Sequence, residues 1–228
     1  MKQVGKVEIR SGPIYLHTRQ PADRLVSIVL LLISAPLLLI MAFVVMLTSR
    51  GPAIYRQRRV GLHGNVFTIY KIRTMRRDAE VDTGAIWSGE GDPRVTAIGR
   101  LLRRSHLDEL PQLYNVARGD MALIGPRPER PEIVGRLSEQ IPSYTKRLEA
   151  LPGITGLAQV VLPPDSDLAG VRQKVRVDDE YIRSANPVLD GWILWRTIGV
   201  SLFVDPKHSR SSEPDGVVAY PGNPVWHF

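Results

Sequence analysis

The sequence predicts an α+β protein, predominantly helical, with one membrane-embedded N-terminal segment followed by a domain with short strands. Three observations carry this. An apolar run extends over 23 residues from Leu25 to Leu47, in which only Ser27, Ser34 and Pro36 are not plainly apolar. Two short runs rich in β-branched and aromatic residues, Ala53-Ile-Tyr55 and Val66-Phe-Thr-Ile-Tyr70, flank a turn with Gly61 and Gly64. From Ile98 onward, apolar residues recur at helical spacing.

At 1.5 Å per residue the apolar run makes about 35 Å of helix, against roughly 30 Å of bilayer hydrocarbon. A soluble core helix would carry a polar face. The run begins too late and is too long for a cleaved signal peptide. Pro36 divides it into halves of about 16 Å, each half the hydrocarbon thickness. Arg10, Arg19 and Arg24 precede it and Arg50, Arg56, Arg58 and Arg59 follow, so charge sets no orientation. Two arrangements stay open on the residues alone: a kinked spanning helix, the commoner tolerance of proline, and a helix–break–helix entering and leaving on one side.

The remaining elements follow in order. Residues 83–94, rich in Gly and Asp, read as a loop. Ile98, Leu101 and Leu102 give a helix, and Leu110, Leu113, Tyr114 and Val116 a second, stopped by Gly119. Gly125-Pro-Arg-Pro128 must be extended, because prolines restrict their neighbours. Residues 133–150 read as one or two helices interrupted near Pro142. Pro152-Gly-Ile-Thr-Gly156 reads as a turn leading to a strand over 157–162, residues 181–203 as helical, and the Pro/Gly/Ser-rich end as a loosely ordered tail.

Composition narrows the chemistry. The 228 residues suit one medium domain. The absence of cysteine excludes a disulfide scaffold, a thiolate zinc site, an iron–sulfur cluster and cysteine catalysis, and five scattered histidines make no metal motif. A net charge of +7 permits nucleic-acid binding, but no recognition module is present and aromatics are sparse; no nucleic-acid partner is expected. From Arg50 to Arg77 eight basic residues stand with no acidic one, a run suited to anionic lipid headgroups or substrate phosphates.

Adjacent acids are common by chance. Asp108-Glu109 differs in context: Pro111 requires the next helix to start just before it, placing both carboxylates at a helix N-terminus beside Arg103 and Arg104, where they should stay ionised. A plain N-cap with a salt bridge explains the same spacing.

The run Arg103-Arg-Ser-His-Leu-Asp-Glu-Leu-Pro-Gln-Leu-Tyr-Asn-Val116, with Gly119-Asp-Met121, Ile124-Gly-Pro-Arg-Pro128, Tyr70-Lys-Ile-Arg-Thr-Met75, Asp92-Pro-Arg-Val-Thr96 and Pro152-Gly-Ile-Thr-Gly-Leu-Ala-Gln-Val160, resembles the bacterial sugar transferase family, the monotopic polyprenyl-phosphate phosphoglycosyl transferases. The resemblance covers roughly residues 20–200 and is to the family's minimal catalytic unit. It implies a monotopic protein with a re-entrant helix–break–helix at 21–50, broken near Ser34 and Pro36, after an N-terminal segment at 1–20. A cytosolic catalytic domain at 51–204 and a tail at 205–228 would follow, on the inner (cytoplasmic) membrane of a bacterium. It implies transfer of a sugar-1-phosphate from a UDP-sugar to polyprenyl (undecaprenyl) phosphate, releasing UMP and starting exopolysaccharide or other glycan assembly, with Mg²⁺ as cofactor and membrane lipids as partners. Asp108 would be the nucleophile and metal ligand, and Glu109 a support for metal or proton acceptor. Arg103 would clamp phosphate, Lys71, Arg73 and Arg127 would contact substrate, and Pro126 and Pro128 would form a rigid edge for uridine.

Three positions depart from the family's pattern. Leu151 stands where relatives place a basic residue, with Arg147 a candidate stand-in; Ala35 separates Ser34 from Pro36; and His106 replaces a small hydroxyl residue. A competing reading from another class is a membrane-anchored scaffold or anionic-lipid binder without catalysis, and a third is a Mg²⁺-dependent phosphohydrolase. The sequence sets neither the sugar nor the oligomeric state.

Overall fold

Two pieces of chain with little sheet between them are tied to one long apolar helix. The structure, a computed structural model, describes residues 14–79, 81, 91–163 and 167–203. Residues 1–13, most of the loop expected at 83–94 and the tail expected at 205–228 lie outside the described residues.

A short helix α1 (Ile14–Thr18) leads into α2 (Gln20–Thr48), 29 residues long. Pro36 lies inside α2, and the residues on both sides of Ser34–Pro36 are helical, since an internal proline removes only one backbone donor. One stripe of α2, Ser27, Leu31, Ser34, Leu38, Met41 and Val45, is sheltered by the domain, while Leu25, Leu32, Ile33, Leu39, Ile40, Phe43 and Leu47 are exposed. The spacing of three and four residues is that of one helix face.

Strands β1 (Ile54–Val60) and β2 (Val66–Ile72) form an antiparallel hairpin pairing Ile54 with Ile72 and Val60 with Val66. Its Ile54 and Ile72 end packs on Met41 and Val45 of α2 together with Leu102. Helix α3 (Ala97–Arg104) is capped by Thr96, whose hydroxyl accepts from Gly99 N at 2.9 Å. A Cβ at Gly99 would collide with the Thr74 backbone, so glycine permits α3 to lie this close. A 3₁₀ turn, Leu107–Glu109, precedes α4 (Gln112–Arg118), which packs along α2 and ends at Gly119 with φ of 89°.

Strand β3 (Ala122–Ile124) pairs in parallel with β4 (Gly153–Thr155). A strand was expected four residues later, at 157–162; residues 157–161 are instead helix α6 (Leu157–Val161). Between the two strands run α5 (Pro131–Gln140) and a 3₁₀ segment, Pro142–Glu149, in line with the expected interruption at Pro142. Helices α7 (Leu168–Ser184) and α8 (Pro187–Phe203) complete the described chain. Gly125 and Gly153 meet backbone to backbone, where a Cβ on either would overlap the other's main chain. This contact brings the Gly-Pro-Arg-Pro and Pro-Gly-Ile-Thr-Gly segments side by side.

Candidate active site

The acid pair sits on a tight turn rather than at a helix start. His106 enters the 3₁₀ turn with φ of 54°, and Glu109 N donates to His106 O at 3.1 Å. Helix α4 begins only at Gln112, with Pro111 as its N-cap, so the carboxylates stand a few residues ahead of the helix expected to hold them.

The turn sends the two side chains into different surroundings. Glu109 Oε1 accepts from Lys71 Nζ of β2 at 2.7 Å and from Arg127 Nη2 at 2.6 Å, and Oε2 accepts from Arg127 Nη1 at 3.3 Å. Burial alone would raise its pKa, but Arg127 and Lys71 overcome this and hold the carboxyl well below the usual range. Lys71 is pushed down by burial and drawn back by Glu109. Asp108 is 7% exposed, and among the described residues its carboxylate takes part in no hydrogen bond or ion pair. Burial first, then the Glu109 charge, raises its pKa, against the pull of Lys71, Arg103 and Arg127. The expectation that the local field keeps both acids readily ionised is corrected: it holds for Glu109, while Asp108 is ionised at a cost.

Arg103 reaches over from α3. Its Nε donates to Thr74 Oγ1 at 2.8 Å, and the guanidinium is close enough to Asp108 to influence it. Arg73 does not join the group. It is turned back to the end of α2, donating to the carbonyls of Ser49 and Arg50, both at 2.8 Å, and of Gly51 at 3.2 Å.

Arg127 is held by its backbone neighbours. Pro126 O accepts from Gly153 N at 3.0 Å, Arg127 O from Arg147 Nη2 at 2.9 Å, Pro128 O from Arg59 Nη1 at 2.8 Å, and Glu129 O from Val60 N at 2.9 Å. Four consecutive carbonyls are thus held by three parts of the fold, which pre-orients the guanidinium toward Glu109. Arg147 is therefore no stand-in for a basic residue at position 151: it is buried, paired with Asp178 at 2.7 Å and bonded to Tyr144 Oη at 3.0 Å. Sequence reasoning missed the supporting roles of Arg59, Asp178 and Thr74. Asn115 was missed too; it is fully buried and ties α4 to β2 through Tyr70 N (3.2 Å) and Thr68 O (2.7 Å). The one available signal was the position of Thr74 and Asn115 inside matched motifs.

Chemically, the site offers one sheltered carboxylate without a partner, facing a group of cations whose other acid is already neutralised. That suits a doubly charged phosphate ester. Magnesium typically takes one or two carboxylates and completes its shell with water and substrate phosphate oxygens, and Asp108 fits such a donor set. Among the described residues no cluster of three His, Cys, Asp or Glu side chains offers a cage made by protein alone.

Known proteins bear on this arrangement. A Bacillus subtilis protein named as a putative undecaprenyl-phosphate N-acetylgalactosaminyl 1-phosphate transferase is 46% identical over 134 residues, covering 59% of this chain and 74% of that one. An Aeromonas hydrophila UDP-N-acetylgalactosamine-undecaprenyl-phosphate N-acetylgalactosaminephosphotransferase is 40% identical over 187 residues, covering 82% of this chain and 44% of its own length. A Caulobacter vibrioides UDP-glucose:undecaprenyl-phosphate glucose-1-phosphate transferase is 42% identical over 188 residues, covering 81% and 67%. The chain therefore spans less than half of the Aeromonas relative and about two thirds of the Caulobacter one. The family model described as bacterial sugar transferase matches residues 14–204, and this chain belongs to that family.

Proposed function

We propose that this chain transfers a sugar-1-phosphate from a UDP-sugar to polyprenyl phosphate through a covalent phosphoglycosyl-aspartate on Asp108. The observation that carries this reading is the contrast between the two acids: Asp108 is buried without a partner, while Glu109 is tied up by Lys71 and Arg127. A desolvated, unpaired carboxylate is a stronger nucleophile than one in an ion pair.

In the first step an Asp108 oxygen attacks the sugar-bearing phosphorus. The bond from that phosphorus to the bridging oxygen breaks, and UMP leaves with the electron pair. In the second, an oxygen of polyprenyl phosphate attacks the same phosphorus and Asp108 departs as carboxylate, giving the polyprenyl diphosphate sugar. Neither step needs net proton transfer when the acceptor arrives as its anion. Glu109, held low by two cations, is a weak base, and its role is to hold Lys71 and Arg127 toward the phosphates. Arg103 contributes charge from the α3 side, and the clamped Pro126-Arg127-Pro128 segment supplies an edge for the nucleotide. Asp108 is the residue that would hold Mg²⁺, which would supply positive charge to offset the donor charge that otherwise repels the attacking carboxylate.

The same proposal places α2 as a re-entrant element, with both ends on the cytosolic face of the inner membrane. Both ends are fastened to one domain: Arg19, before α2, donates to Ile124 O and pairs with Asp190, while Arg73 grips the carbonyls of residues 49–51 after it.

The test is incubation of the full chain with a UDP-sugar, Mg²⁺ and polyprenyl phosphate. Lipid-linked sugar plus UMP supports the reading, free sugar phosphate indicates a hydrolase, and no turnover across a panel of UDP-sugars indicates a scaffold. Donor alone should leave a sugar-phosphate mass on the peptide containing Asp108; its absence during active turnover would overturn the covalent route.

A further inference from the structure

The hairpin has two faces with different employment. Lys71 points from one face to Glu109. On the opposite face, strand alternation aligns the cross-strand pairs Ile54–Ile72, Arg56–Tyr70 and Arg58–Thr68. The first pair is packed against Met41 and Val45 of α2. The next pair therefore continues the surface on which the apolar helix rests.

That continuation is a ladder in which two cations flank two rings. The Arg56 guanidinium lies over the Tyr70 ring at 5.8 Å. Tyr70 meets Tyr114 edge to face at 5.4 Å, and Arg118, one turn further along α4, lies over Tyr114 at 5.9 Å. Arg24 of α2 sits against Gly119, at the end of α4, closely enough that a Cβ there would overlap its guanidinium. Arg24, Arg56, Arg58, Tyr114 and Arg118 are all exposed. Arg118 pairs with Asp120 at 3.3 Å; Arg24, Arg56 and Arg58 have no ion pair among the described residues. Stacking on Tyr70 orders Arg56 without neutralising it.

We propose that this strip, from Arg24 through Arg118, Tyr114 and Tyr70 to Arg56 and Arg58, docks the domain on anionic phospholipid headgroups beside α2. Two features select that partner. The net charge is positive with one acid alongside, complementary to a phosphate-rich surface. The strip also adjoins a helix whose outer face exposes Leu32, Ile33, Leu39 and Ile40, so a bilayer holding α2 brings headgroups to its level. Tyrosine and arginine are the side chains suited to that depth. The inference rests on α2 being membrane-embedded, and it concerns a surface separate from Asp108.

The experiment measures partition of the full chain from nonionic detergent micelles into vesicles of phosphatidylcholine alone or with 30% phosphatidylglycerol, for wild type, Arg56→Gln/Arg118→Gln and Arg56→Lys/Arg118→Lys. A basic residue near an anionic surface is worth about fivefold in binding. The glutamine pair should therefore lose roughly 25-fold of the anionic preference while entering neutral vesicles like wild type, and the lysine pair should keep most of it. Matching thermal melts in detergent exclude misfolding. If wild type prefers anionic vesicles and the glutamine pair retains that preference, or if wild type shows none, the strip is not the docking surface. If wild type enters neither vesicle, the embedded-helix reading falls and takes this inference with it.

Discussion

Asp108 and Glu109 are neighbours in sequence yet occupy opposite electrostatic states: the Glu109 carboxylate is shared between Lys71 and Arg127 at 2.7 and 2.6 Å, and Asp108, one residue earlier, is buried without a bonded partner. The division follows from the 3₁₀ turn. Successive residues there are rotated by about 120°, so one side chain meets the cations of β2 and the Gly-Pro-Arg-Pro segment while the other does not.

Asp108→Asn should therefore separate activity from stability. Transfer should fall by at least about 10⁴-fold, the scale of losing a nucleophile. The folded-state pKa of Asp108 is raised, so the folded protein resists its ionisation, and above that pKa the whole penalty is present. Asparagine removes it, so the variant should melt no lower than wild type and a few degrees higher if about 1 kcal/mol is relieved. A calorimetric scan and a UMP-release assay check both halves. A dead variant that also melts well below wild type would indicate a structural role.

The pH dependence follows from the same two shifts. Turnover should decline on the acid side as Asp108 takes up its proton, at a pH above that of an ordinary aspartate, because burial and Glu109 favour its neutral form. Glu109, held well below the usual range, should remain ionised through that window. Its ion pairs contribute stability above the unfolded-state glutamate pKa, and this is lost only as pH falls through the lower folded-state value. Between the two, activity should disappear while the fold persists, measurable as a pH–rate profile beside a pH–melting profile. Coincident loss of both would contradict the separation.

Much of the fold was legible because it is written locally. The apolar run, the hairpin around Gly61 and Gly64, the stop at Gly119 and the interruption near Pro142 each rest on a few contiguous residues. What failed was written non-locally. Residues 157–161 form a short apolar run that periodicity alone does not assign to strand or helix; the strand is Gly153–Thr155, because its partner Ala122–Ile124 lies about thirty positions away. The resemblance grouped Arg73 with Lys71 as a substrate contact, yet β2 ends at Ile72 and Arg73 turns to residues 49–51. Membership of Lys71 and Arg127 in one site came from motif resemblance, since spacing says nothing about groups 38 and 18 positions from Glu109.

His106 carries the turn in a backbone conformation that side chains adopt reluctantly, with φ of 54°. Its side chain is exposed, so its replacement tests the backbone alone. Glycine should be tolerated, relief of the left-handed strain offsetting its larger unfolded-state entropy. Valine should cost about 2 kcal/mol, since β-branching disfavours positive φ, and should depress turnover by moving Asp108. Melting temperatures of the two variants decide this; a valine variant as stable as glycine would show that the turn is not strained.

Arg147 and Asp178 form the support behind Arg127. Both side chains are 3% exposed, with Nη2 to Oδ2 at 2.7 Å, and the same Nη2 donates to Arg127 O. Asp178→Ala should leave a buried guanidinium without its counter-charge, a loss of roughly 3–5 kcal/mol for a pair of this kind.

The sequence contains no cysteine, so a single introduced thiol is a unique label for the side of the membrane on which each end of α2 lies. A straight helix of 29 residues would be about 43 Å long, enough to place its ends on opposite membrane faces. Both ends of α2 are instead bonded to one domain, through Arg19 to Ile124 O and through Arg73 to Ser49 O. A spanning arrangement would have to break one of these attachments. Single cysteines at His17 and at Pro52, both exposed and flanking α2, should therefore react with a membrane-impermeant maleimide only when the cytosolic face is open, as in inverted vesicles. Protection of one position where the other reacts would mean that α2 crosses the bilayer and that one of the two anchors is released in the membrane.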